Sequence, residues 1–306
     1  MPSIDSGPSA PLARRFAAHL EPVIGQVYFA PECHVGYQAL GFAPSSGFAG
    51  NTALPDGPAY FTSRGSVMGQ VPGEVVAAAF GVFNPAAVIP SVTYGWTLTD
   101  ASTIAATRDA GALAQMARIL GDDAPGRERA GELLSRITAP LRPEGRPLYA
   151  GLLSMPVPAH PWGRVWREGD RLREFRGDSH TAAWVSSGLD AIEIGLLTEG
   201  FLGLPFNSYV RTRAWSDDQI LSTIERLTER GLIDSAGLTK AGQEFRESIE
   251  VETDAQMSGA MSALGDDAEE LLSLLAPWGK AMRAQGGYLS SGASDLADGR
   301  ALRDTL

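Results

Sequence analysis

Several residue types are scarce in this chain, and each scarcity excludes something. Cysteine occurs once, as Cys33, so no intramolecular disulfide can form. Histidine occurs four times, at positions 19, 34, 160 and 180, and no Cys/His spacing matches a zinc pattern or a triad. No apolar run is long enough to span a membrane, and no basic-then-apolar N-terminal stretch reads as a signal peptide, so a cytoplasmic location is expected. Walker loops, a GxGxxG after a strand and a GxSxG elbow are all missing. The GDDAPG run at 121–126 lacks the spacing and closing glutamate of a calcium loop. No metal site and no cofactor can be assigned on these grounds. Positive charge is also short: 25 Lys and Arg against 36 Asp and Glu give a net charge of −11. That balance disfavours nucleic acid and anionic membrane as bulk partners.

What is present is clearest between Trp215 and Met257. Ser216 is a good N-cap, and Asp217 and Asp218 fill a first turn where the helix dipole favours negative charge. Ile220, Ile224 and Leu227 recur at helical spacing, and Gly231 suits a left-handed C-terminal cap. Leu232 and Ile233 form a short strand, Asp234–Gly237 a tight turn, and Leu238 and Thr239 the return. Thr239 then caps a helix from Lys240 to about Met257. Helix, strand, turn, strand, helix is the order of a winged helix. The "RGLI…LT..G" signature resembles the wing of multiple-antibiotic-resistance-type regulators.

The charge of this module conflicts with DNA reading. Its expected recognition helix carries Asp217, Asp218, Glu225 and Glu229 against Arg226 and Arg230. The following helix adds Glu244, Glu247, Glu250, Glu252 and Asp254 against Lys240 and Arg246. DNA affinity rests largely on cations that neutralise phosphates, and the wing tip has none. A packing or dimerisation module is therefore the expected role. Only a shared face of Arg211, Arg213, Arg226 and Arg230 would restore a DNA reader.

The rest of the chain reads as mainly α-helical. Residues 1–10 are Pro/Ser-rich and expected to be disordered, and 11–155 form an N-terminal helical domain. Helices are expected from Pro11 to about Tyr28, over 28–42 behind Pro31, and from Pro72 to a stop at Asn84-Pro85. Further helices are expected over 98–120 behind Thr99 or Asp100, over 127–137, and, beyond a Pro-dense stretch at 140–163, over 166–186 and 191–199. Residues 43–58 read as a loop. The winged-helix domain spans 164–285, with a very short β wing, and 286–306 form a flexible tail.

Two clusters could carry chemistry. In LREFRGDSHTAAW, 172–184, Gly177 interrupts a charge-dense run. Arg176 there can hold an anionic group, and Asp178 can orient His180 as a catalytic acid–base pair; the bland reading is an interdomain ion-pair network. The second cluster is Tyr28, Glu32, His34, Tyr37, Tyr60, Arg64 and Met68, which suits an aromatic-lined ligand pocket or, more plainly, an aromatic core. Glu32 and His34 are two apart and diverge on a helix, which argues against a shared metal.

Together, YFAPECHVGYQALGF (28–42), YFTSRGSVMGQVPGEVVAAAFGVFNP (60–85), LREFRGDSHTAAW and ERLTERGLID…LTKAGQEFRESIEVETD resemble a group of actinobacterial helix-turn-helix proteins over most of residues 15–280. The resemblance implies a fold and no site residues. Three functions remain: binding of an apolar or aromatic metabolite on a winged-helix scaffold that has lost DNA, an enzyme using His180 and Asp178, and a transcriptional regulator. The expected partners are a small-molecule ligand and a second copy of the chain.

Overall fold

The structure is a computed structural model that describes residues 11–289; the expectations for residues 1–10 and for the tail beyond 289 lie outside it. The protein is mainly α, with two small antiparallel hairpins among the described residues. Helix α1 (Leu12–Ile24) continues into a 3-10 turn, and α2 (Pro31–Ala39) starts with proline in its first turn. The segment expected as a loop contains a hairpin, β1 (Gly47–Ala49) against β2 (Thr52–Leu54), with Phe48 opposite Ala53. Asp56 then caps α3 (Gly57–Gly65) by accepting from Ala59 N–H.

The next departure has a local cause. α4 (Gly73–Phe80) ends before Phe83, but Asn84-Pro85 opens a helix rather than closing one. The Asn84 side chain accepts from Ala86 N–H, and Pro85 takes the first position of α5 (Pro85–Leu98), where its missing N–H costs nothing. α6 (Ala101–Leu120) follows behind Asp100, α7 (Arg127–Thr138) behind Gly126, and α8 (Pro147–Leu153) lies within the Pro-dense stretch. α9 (Gly163–Ser186) is one unbroken helix that contains Gly177.

The winged-helix order then appears. α10 (Ala191–Leu202) begins with an Asp190/Glu193 capping box, and α11 (Asp217–Glu229) with a Ser216/Gln219 box. β3 (Ile233–Asp234) pairs with β4 (Gly237–Leu238), and α12 (Lys240–Gln256) starts at the Thr239 cap. α13 (Ser258–Leu264) and α14 (Ala268–Ala284) complete the described chain.

Three apolar clusters hold these elements. The largest joins α1, α2, α6, α7 and the first part of α9 to α13 and α14, with Trp162 edge-on to Trp278 at 4.9 Å. A second gathers α3, α4, α5 and α8. The third contains α10, α11, β3, Ile249 of α12, and Ala183 and Trp184 at the end of α9. At about 1.5 Å per residue α9 is roughly 36 Å long, so one helix links the first and third clusters. Its middle carries the charged run 172–180.

Candidate functional site

The middle of α9 meets α1, α3 and α12 through buried ion pairs. Arg64 donates to both oxygens of Glu174, at 2.9 and 2.7 Å. Tyr28 Oη donates to Glu174 Oε1 at 3.1 Å, and Arg173 donates to Glu21, to the Tyr28 oxygen and to Glu174. Burial pushes the Glu174 carboxyl up, but Arg64 and Arg173 outweigh it and hold the group down at about 2. A second knot joins α9 to α12. Arg176 bridges Glu250 and Asp254 at 3.1 Å each, and Arg246 pairs with Glu250 at 2.7 Å. Burial raises the Glu250 carboxyl, yet Arg246, His180 and Arg176 hold it well below the usual range.

The expected acid–base pair is not formed. Asp178 and His180 are two apart on an unbroken helix, about 200° around the axis, so they point to different sides. Gly177 does not open a turn there. Asp178 faces α8 and accepts the N–H groups of Leu148 and Tyr149 at 3.1 and 3.0 Å, capping that helix. Burial pushes its carboxyl up to about 7 despite these donors. His180 faces α12, with Nδ1 at 3.2 Å from Thr253 Oγ1. Burial lowers its ring to about 4, which keeps the imidazole neutral at pH 7.

The second expected cluster divides. Tyr28, Tyr60 and Arg64 meet the α9 charges, with Tyr28 and Tyr60 rings 5.0 Å apart and Arg64 Nη1 donating to the Tyr60 oxygen at 3.3 Å. Arg176 joins the α12 knot. The other four lie elsewhere. Glu32 pairs with Arg118 near the surface. His34 is buried with Nε2 3.0 Å from the Tyr28 carbonyl oxygen, and burial lowers its pKa. Tyr37 is buried edge-on to Phe42, and Met68 packs in the α3–α5 cluster. Among the described residues no group of three or more His, Cys, Asp or Glu could hold a metal ion.

Two adjoining cavities follow this seam. One, of about 550 Å³, is walled by Tyr28, Tyr60, Phe61, Phe83 and Tyr288 together with Tyr209 and Arg213. The second, of about 230 Å³, runs between α1, α9, α10 and α12 and includes Arg64, Glu174, Arg176, His180 and Arg246. Glu21, Arg173 and Tyr209 border both. The Tyr209–Arg213 segment, between α10 and α11, is anchored by the buried Glu199 carboxylate, which accepts the N–H groups of Asn207, Tyr209 and Val210. Sequence reasoning missed Glu21, Phe83, Tyr209 and Tyr288 as wall residues. They are separate in the chain, and no local spacing links them.

The arginines of the winged helix do not form a free stripe. Arg226 pairs with Asp190 at 2.7 Å and Arg230 with Glu193 at 2.8 Å. Arg213 lies against the rings of Phe83 and Tyr209, and Arg211 is exposed. The open side of α11 presents Asp217, Asp218, Leu221, Glu225 and Glu229.

The fold is therefore a mainly α-helical body that incorporates a helix-turn-helix with a minimal β wing. The chain belongs to a helix-turn-helix family, whose model it matches over residues 13–289. No curated protein and no solved structure matches the chain. Among the described residues no helix is long and apolar enough to cross a membrane.

Proposed function

We propose that this protein binds a small apolar or aromatic metabolite in the cleft between its N-terminal helices and its winged helix, and that the winged helix serves as scaffold rather than as a general DNA reader. The observation that carries this reading is the cavity of about 550 Å³, whose aromatic wall comes from the 3-10 turn after α1, from α3 and from the α4–α5 turn, and which is closed by the helix-turn-helix linker. That volume falls in the range of small-molecule sites, and an aromatic wall with a few polar groups is their usual make-up. The DNA side of the proposal is supported by carboxylate pairing at Arg226 and Arg230 and by the acidic open side of α11. The acid–base mechanism at His180 loses its support, because Asp178 is committed to α8.

A thermal-shift screen followed by native mass spectrometry tests the binding reading. A panel of neutral and acidic aromatic metabolites should contain compounds that raise the Tm and appear as stoichiometric adducts. Replacing Tyr60 by Ala should remove both effects. A mobility-shift titration on random duplex DNA between about 50 and 200 mM salt tests the other half. Retention of DNA at the upper salt, with no compound stabilising the protein, would reverse the reading in favour of a regulator.

A further inference from the structure

We propose that Arg213 is an oxyanion-binding residue, so that the ligand of the cleft is an amphipathic anion with one acidic group on an aromatic or apolar body. This rests on the cleft reading above and adds the ligand's charge. Among the cations around the two cavities, Arg64, Arg173, Arg176 and Arg246 each already face a carboxylate. Arg213 does not: no carboxylate among the described residues pairs with it, and its Nε is buried without a hydrogen-bond partner. It nevertheless lines the larger cavity beside Phe83, Tyr209 and Thr212.

The guanidinium is also held in place before any ligand arrives. It sits 4.6 Å from the Phe83 ring centroid and 4.1 Å from that of Tyr209, which restrains its plane. Its backbone is tied down as well. Asn84 N–H donates to the Arg213 carbonyl at 2.9 Å, and Asn84 Nδ2 donates to the Ala214 carbonyl at 2.9 Å. A planar fork fixed in this way matches an oxyanion in two-point fashion, with little ordering left to do on binding. In the same cavity Tyr28, Tyr60 and Phe61 offer ring edges and faces to an apolar body.

The alternative is that Arg213 only glues the helix-turn-helix linker to the α4–α5 turn. Two probes of similar shape separate these roles: 8-anilinonaphthalene-1-sulfonate, which is anionic, and N-phenyl-1-naphthylamine, which is neutral. With the full-length protein, fluorescence titration should give about tenfold tighter binding of the sulfonate. Arg213→Met keeps an apolar stem over the rings and should abolish that preference while leaving the neutral probe within about twofold. Arg213→Lys should restore part of it. In the wild-type protein, benzoate should displace the sulfonate at a concentration about tenfold below that needed with benzamide, a readout that does not depend on the variant folding. Equal loss of both probes in Arg213→Met, or sulfonate binding untouched by it, would overturn the proposal while leaving the cleft intact. Neutral binding without sulfonate binding overturns it too. Failure of both probes to bind removes the cleft reading and this inference together.

Discussion

Asp178 and His180 occupy the same helix two positions apart, yet burial moves their pKa values in opposite directions. Asp178 is raised to about 7, so the folded state holds its proton where the unfolded chain has released it. Its contribution to stability is full below about pH 4 and is lost as pH rises to about 7. His180 is lowered to about 4, so its contribution is full above its unfolded value near 6.5 and is lost as pH falls to about 4. The two slopes oppose each other between about pH 4 and 7, and the wild-type denaturation midpoint should therefore vary less there than in either variant. Asp178→Asn should make stability rise more steeply with pH, and His180→Gln should make it fall. Urea melts of the three proteins at several pH values check this; parallel curves would refute it. That these residues do not meet was already implicit in their spacing. Only a loss of helix between them could have joined them, and α9 runs unbroken through Gly177, at a cost of about 1 kcal/mol for that glycine, and on past His180.

At the scale of elements, local chemistry was largely readable. The Ser216 and Thr239 caps, the Gly231 stop and the short wing are set by side chains within a few residues of each other, so their pattern survives without tertiary context. Asn84-Pro85 was ambiguous for a physical reason: the pair stops one helix as readily as it starts another, and only the packing of residues 86–98 decides between them. Contacts between elements left fainter traces. Gly111 on α6 lies where α2 crosses, and a Cβ there would sit 2.5 Å from Cys33 Sγ and 2.6–2.7 Å from Cys33 backbone atoms. Backbone cannot yield as a side-chain tip can. Gly111→Ala should therefore destabilise by about 1–3 kcal/mol despite alanine's better helix propensity. A thermal melt showing equal or greater stability would mean that α2 shifts freely.

For the whole molecule, the unexpected feature is the return of the chain after the winged helix. From Met257 onward, Ala260, Leu264, Leu271, Leu275, Trp278 and Met282 enter the same core as α1. α14 thereby closes the N-terminal body, and Arg15 pairs with Glu269 across that contact. Trp278→Ala should cost about 3–5 kcal/mol through the cavity it leaves beside Trp162, far more than removal of the exposed Leu221 side chain from α11. Calorimetry on Trp278→Ala and Leu221→Ala checks the contrast, and similar losses would place α14 outside the cooperative core.

Helix content, the winged-helix order and the acidic bias were determined by the sequence alone, because caps, periodicity and charge act over a turn or two of chain. The cleft was decided by tertiary structure. Tyr28, Tyr60, Tyr209, Arg213 and Tyr288 come from four distant stretches, and only the packing of α9 against both bodies brings them to one cavity. The same packing decided which arginines are neutralised, since an ion pair depends on distance in space and a sequence records only distance along the chain.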